Sequence, residues 1–256
     1  MYRDHYAVLV ESSYSFRNYR HSVNTLRLRQ YLISRGVPEA NIVLMMAGDV
    51  QCNARNPHYG EIRSEHSLCD LAENTTVAYS GEDASLSAFI RLLLDQLPPS
   101  VSNPRRLRTN HMSQLLLFLN GHGGDHFFKF QGREELNDHI LSNLLSRMYQ
   151  MRRYQRVLVM IDTCQAATLI PKRLPPHSSF LASSSLGEES YSYGFDSMYG
   201  LPTEDRFTTF FLKGLKECEG DSMTPVSRIL KRYLNTERLH STAVWKSNSA
   251  NSLCYF

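Results

Sequence analysis

This chain has little of what usually announces a protein's class. Neither sign of charge is in excess: 28 Lys and Arg stand against 25 Asp and Glu, a formal net charge of +3. That balance gives no electrostatic footprint for nucleic acid. Arginines gather at Arg105, Arg106 and Arg108 and again at Arg152, Arg153 and Arg156. Neither cluster carries interleaved aromatics or glycines, so both read as solvated surface. Cysteine is scarce. The five, Cys52, Cys69, Cys164, Cys218 and Cys254, form no CxxC and no Cys/His ligand spacing, which argues against a structural zinc site. Their odd number leaves at least one thiol unpaired within the chain, to be reactive, buried or joined to another protein. No apolar run approaches the roughly 20 residues of a membrane helix. The opening Met1-Tyr2-Arg3-Asp4-His5 is polar and the run behind it is too short for a secretory leader. Read on these terms the chain is expected to be soluble, without metal or other cofactor. One sequon, Asn74-Thr75-Thr76, is compatible with a lumenal location. No repeat, low-complexity tract or domain boundary is visible, so residues 1–256 are expected to form one domain.

What is present is an ordinary globular balance, 42% hydrophobic and 21% charged, arranged as alternating apolar patterns. Tyr6-Ala7-Val8-Leu9-Val10 is a short continuous run, as in a strand buried on both faces. Residues 21–35 suit a helix whose apolar face is Val23, Leu26, Leu28, Leu32 and Ile33, stopped by Gly36 and Pro38. Residues 42–47, 114–119 and 157–161 read as further buried strands, and 179–184 as a fifth. Residues 127–130 suggest a short strand turning back at Gln131-Gly132. Helices are expected over 85–97, over 134–153 as the longest, and over 206–216 and 226–234. Residues 51–81 lack periodicity and are expected to be a long loop, often functional in a compact domain. Strands alternating with helices predict an α/β fold with a mostly parallel central sheet flanked by helices.

In such sheets functional residues lie beyond the carboxyl ends of strands. Two strand ends here carry suggestive chemistry: Asn120-Gly121-His122-Gly123-Gly124-Asp125 and Asp162-Thr163-Cys164-Gln165. Gly121, Gly123 and Gly124 tolerate unusual backbone angles, would leave the His122 imidazole open and would let backbone N–H groups face a ligand. A general base needs that exposure, and acyl transfer needs N–H donors for its oxyanion. Cys164 follows a buried strand closely, held by rigid backbone near solvent, where His122 could activate its thiol. Either residue alone reads more simply, the cysteine as a small core hydrophobe and the histidine as a loop residue. As a pair at two strand ends of one parallel sheet they point to nucleophilic catalysis.

The segments around this pair resemble the histidine and cysteine boxes of the legumain-type peptidases, which share the caspase-like three-layer fold. Within that clan the chain is similar to the family of GPI-transamidase catalytic subunits. The likeness includes Phe16-Arg17-Asn18-Tyr19-Arg20-His21, Gly36-Val37-Pro38, Cys52-Asn53-Ala54-Arg55-Asn56-Pro57, Phe128-Lys129-Phe130-Gln131, Leu181-Ala182-Ser183-Ser184 and Gly187-Glu188-Glu189-Ser190. It runs from about residue 6 to about residue 215. The resemblance implies that Cys164 attacks the carbonyl at the attachment site of a proprotein's C-terminal signal peptide and leaves a thioester. His122 would shuttle the proton, Asn18 would orient its ring, and the N–H groups of Gly123 and Cys164 would form the oxyanion hole. Arg20, Asp162 and Ser190 would line the pocket for the residue preceding the cleaved bond. The ethanolamine amine of the GPI lipid would then take the acyl group. Cys52 would form a disulfide to a neighbouring subunit of the transamidase complex, at the lumenal face of the endoplasmic reticulum membrane.

There are departures from the family's pattern. The family's signal sequence and membrane anchor are not seen, and Arg17 replaces an aromatic. Glu39 and the backbone of Ile42 match part of the family's calcium site, but Thr76 and Ala78 stand where acidic ligands belong, so no metal is expected. The tail beyond about Asp221 has no match. Two competing readings remain at this level: a free asparaginyl endopeptidase of the legumain kind, and a non-catalytic module that keeps the fold.

Overall fold

The protein is described by a computed structural model covering residues 4–65, 69–217 and 226–248. Cys218, Cys254 and the start of the unmatched tail lie outside the described residues. The strands in chain order are β1 (His5–Glu11), β2 (Ile42–Met46), β3 (Tyr79–Ser80), β4 (Gln114–Asn120), β5 (Gly123–Gly124), β6 (Phe127–Phe130), β7 (Glu134–Asn137), β8 (Arg156–Asp162), β9 (Ser178–Ala182), β10 (Ser192–Asp196), β11 (Leu201–Asp205) and β12 (Val244–Ser247). The helices are α1 (Tyr19–Ser34), α2 (Leu86–Leu93), α3 (Asp138–Gln150), α4 (Arg206–Glu217), α5 (Val226–Arg232) and α6 (Thr236–Leu239).

Seven strands form the central sheet in the order β12-β9-β8-β4-β1-β2-β3. All its pairings are parallel except β12 with β9. Continuous apolar runs suit these strands because both faces are covered. Ala7, Leu9, Leu116, Phe118, Leu158 and Met160 point to the layer holding α1, α4 and α5. Val8, Val10, Leu115, Leu117, Val159 and Ile161 point to the layer holding α2 and α3. Burying each of these side chains larger than alanine contributes roughly 1.5–3 kcal/mol. The period-two alternation builds three layers around one sheet.

Register then prepares the site. Glu11 pairs with Asn120 and Asn120 with Asp162, so the last residues of β1, β4 and β8 form one row. All three are buried polar groups. Loops leaving this row carry the candidate residues.

Several sequence expectations need correction. The stretch 134–153 is not one helix: Glu134–Asn137 pairs antiparallel with β6, and α3 begins only at Asp138. Leu136 lies opposite Phe128 in that pairing, and Asn137 caps α3 by accepting from the Ile140 N–H at 2.8 Å. The longest described helix is α1, with 16 residues. Ile33 lies outside its buried face, at 36% exposure. Gly36 stops the chain there in the left-handed region, φ 88°. The α2 helix starts behind a Ser85 cap and ends at Leu93, short of the expected boundary. Among its described residues the long loop has no helix or extended strand until the two-residue edge strand β3. The β10–β11 hairpin and β12 are not anticipated from the sequence.

Candidate functional site

Two loops leave the sheet row side by side. The Gly121 N–H donates to the Asp162 carbonyl at 3.3 Å, tying the turn after β4 to the end of β8. A Cβ on Gly123 would meet Thr163 Oγ1 at 2.7 Å and the Phe127 carbonyl oxygen at 2.6 Å. His122 immediately precedes that contact and Cys164 immediately follows it. The glycines therefore serve close approach. None of Gly121, Gly123 or Gly124 has a positive φ, which corrects the expectation that they supply unusual backbone angles.

His122 is exposed, and its Nε2 lies 2.9 Å from Asn18 Oδ1. The Asn18 amide is itself oriented, because its Nδ2 donates to the Tyr14 carbonyl at 2.9 Å. With the oxygen turned to the ring, Nε2 must carry the hydrogen and Nδ1 is left as the basic nitrogen. Partial burial of the ring holds the His122 pKa below the ordinary histidine value, and the cations Arg20 and Lys129 depress it further. The neighbouring His21 packs edge-on at 5.2 Å between ring centroids and is kept neutral chiefly by complete burial.

The Cys164 turn is gripped from the far side. Thr163 O accepts from Ser183 Oγ at 3.1 Å and Ser184 Oγ at 2.8 Å. Gln165 follows in the left-handed region, φ 53°, with its N–H donating to Glu188 O at 2.9 Å. A non-glycine residue held there marks a turn whose surroundings over-determine it. The Cys164 thiol is free and half-buried. Its backbone N–H has no hydrogen-bond partner among the described residues.

Arg20, Asp162 and Ser190 lie near one another, with a fourth residue, Asp205, that the sequence reading missed. Asp162 accepts from Ser190 Oγ and Thr208 Oγ1, each at 2.7 Å. Arg20 Nε donates at 2.9 Å to Asp205, which also accepts from Asn24 Nδ2 at 2.6 Å. Burial pushes the Asp205 carboxyl up to about 7 against the pull of Arg20, and the charge of Asp162 adds to the rise. Asp162 is raised as well, again chiefly by burial. Asp205 ends β11, a hairpin strand with too weak an apolar pattern to flag; the available signal was an acidic pair, Glu204-Asp205, directly before an apolar helix.

Cys52 is exposed on a loop that Asn56 organises, its Nδ2 reaching the carbonyls of Val50, Gln51 and Glu61 at 3.2, 3.2 and 2.8 Å. Glu39 is occupied by an ion pair with Arg29. No cluster of three metal-ligating acids, histidines or cysteines occurs among the described residues.

A family model described as the Peptidase C13 family matches residues 5–224. The chain belongs to that family. It is 35% identical over 242 residues to a Schizosaccharomyces pombe protein named GPI-anchor transamidase, covering 93% of this chain and 63% of the relative. It is 36% identical over 231 residues to the Homo sapiens protein of the same name, covering 89% of this chain and 58% of the relative. The Saccharomyces cerevisiae protein of that name is 33% identical over 240 residues, with 93% and 58% covered. The chain thus spans less than two thirds of the length of these relatives. The mostly parallel seven-stranded sheet flanked by helices is consistent with that family.

Proposed function

We propose that this chain is the catalytic subunit of a GPI transamidase, with Cys164 as nucleophile and His122 as proton shuttle. The observation that carries the reading is the Asn18–His122 pair, with its tautomer fixed, beside the Cys164 turn. The kinship to proteins named GPI-anchor transamidase supports the substrate class. His122 Nδ1 takes the thiol proton as Cys164 sulfur attacks the attachment-site carbonyl. The oxyanion that develops faces the N–H groups of Gly123 and Cys164. His122 returns the proton to the departing signal-peptide amine, leaving a thioester. The ethanolamine amine of GPI then attacks; a C–N bond forms, the C–S bond breaks, and the amine proton passes through His122 to the sulfur. Arg20, Asp162, Ser190 and Asp205 hold the side chain preceding the cleaved bond. Cys52 pairs with a partner subunit, and the reaction takes place at the lumenal face of the endoplasmic reticulum. No helix among the described residues is long and apolar enough to cross a membrane.

The test is rescue of surface display of a GPI-anchored reporter in cells lacking their own catalytic subunit. Wild type is expected to restore display and Cys164→Ala to fail, with His122→Ala reduced by about 10²–10⁴-fold in rate. Rescue by Cys164→Ala would remove the nucleophile from the scheme. Cleavage of an asparaginyl peptide by a chain that transfers nothing to GPI would favour the free endopeptidase instead.

A further inference from the structure

Asn74-Thr75-Thr76 is the only Asn-X-Ser/Thr tripeptide in the sequence, and the chemistry described above makes no use of it. It lies near the end of the long loop, just before the edge strand β3. Asn74 is the third residue of a tight turn closed by the Thr75 N–H donating to the Ala72 carbonyl at 3.1 Å. Its φ of 53° is one that asparagine tolerates better than most residues. That turn explains an asparagine at 74. It does not explain Thr76, which is exposed and whose hydroxyl makes no hydrogen bond among the described residues. The Asn74 side chain is exposed and equally unoccupied; only its carbonyl is engaged, accepting from Arg29 Nη2 at 3.3 Å. The loop is held by other groups. The Ala78 N–H donates to the Leu44 carbonyl at 2.9 Å, and Asp70 Oδ1 accepts from the Ile62 and Ala72 N–H groups at 2.8 and 2.9 Å. A bulky group on the Asn74 amide would therefore displace no contact of the folded protein. It would also leave the candidate site clear. Asn18, which touches His122, stands just before α1, whereas Arg29, which touches the Asn74 carbonyl, lies roughly 16 Å farther along the helix axis. Arg29 also pairs with Glu39, just ahead of β2, at the amino end of the parallel strands.

We infer that Asn74 is an N-glycosylation site, its side-chain amide taking an oligosaccharide from a polyprenyl-diphosphate donor in the lumen. The inference rests on the lumenal location proposed above. A C–N bond forms between Asn74 Nδ2 and the anomeric carbon of the sugar. The C–O bond to the diphosphate breaks, the lipid diphosphate leaves with the electron pair, and the amide proton passes to a base of the glycosyl-transferring enzyme. Thr76 completes the acceptor tripeptide that such an enzyme reads. The glycan then stands beside β3, the short strand that leaves this edge of the sheet open, and shields it from pairing with another chain.

The experiment expresses the full chain in cells that lack their own transamidase catalytic subunit, with a C-terminal tag carrying a second acceptor tripeptide as a marker of lumenal entry. Peptide N-glycosidase treatment is read by electrophoretic mobility and by mass mapping of the Asn74 peptide, where release of a glycan leaves aspartate. Both acceptors are expected to be occupied in wild type and in Thr76→Ser. Asn74→Asp, which suits the left-handed turn, and Thr76→Ala should each lose the loop glycan completely and keep the tag glycan. Display of the GPI-anchored reporter should be the same in all of these chains, since the acceptor lies away from His122 and Cys164. If the tag is glycosylated and display is restored while Asn74 stays bare, the site is wrong and the lumenal transamidase reading stands. If neither acceptor is modified and display is not restored, that reading fails and takes the site with it.

Discussion

At the scale of single residues, Asn18 does more than touch His122. Its amide is fixed by the Tyr14 carbonyl, so it offers oxygen to Nε2 and decides which ring nitrogen is basic. Asn18→Ala should slow acylation of Cys164 by less than the about 10²–10⁴-fold loss of the base itself, because the ring still visits the productive tautomer. The pH dependence follows from the same geometry. A protonated imidazole cannot accept the thiol proton, so the rate rises as pH rises through the His122 pKa. That pKa is depressed by burial, Arg20 and Lys129. The acid limb of the acylation rate should therefore lie below about 6.5, the ordinary histidine value; a limb above it would contradict the environment described. His122 and Cys164 were legible in the sequence because each follows a short apolar run that could only be a buried strand. Asp205 was not, because its partners Arg20 and Asn24 lie far away in sequence on α1.

At the scale of elements, the ends of β1 and β2 are tied by a carboxyl. Glu11 is fully buried and accepts from the Ser13 N–H at 3.1 Å and the Gly48 N–H at 2.9 Å. Burial outweighs those bonds and pushes its pKa up to about 8 from 4.5. The unfolded chain releases this proton first as pH rises, so the native state binds more protons between those values and stability falls with pH across that window. Asp205 acts in the same direction over a narrower range. Below about pH 6.5 the buried His21 and the depressed His122 oppose this trend, because the unfolded chain still binds their protons; between about pH 6.5 and about pH 8.5 melting temperature should fall, and less steeply in Glu11→Gln than in wild type. An unchanged slope in Glu11→Gln would show that Glu11 is already ionised in the folded protein. Elements that the sequence concealed lack a distinctive apolar pattern of their own. The β10 strand has no buried residue, and β7 looks helical because it runs straight into α3; the predicted helix α1 also buries polar residues, His21, Ser22, Asn24 and Thr25.

At the scale of the molecule, a parallel sheet with helices on both faces collects chemistry from distant parts of the chain at one edge. The row Glu11, Asn120 and Asp162 places three loops beside one another. The parallel sheet and this edge were predictable from alternating apolar runs, and membership in the Peptidase C13 family agrees with both. The antiparallel strand β12 was not, since four residues at a sheet edge, none of them buried, carry no distinctive pattern.

The central claim is that environment, rather than exposure, makes Cys164 the reactive thiol. Cys52 and Cys69 are exposed, whereas Cys164 is half-buried. The direct measurement is intact-mass and peptide mapping of the folded protein after brief treatment with an electrophilic peptide mimic. The account predicts modification at Cys164 first, lost in His122→Ala while the other thiols react as before. Modification that begins at Cys52 or Cys69, or labelling of Cys164 unaffected by His122→Ala, would contradict it.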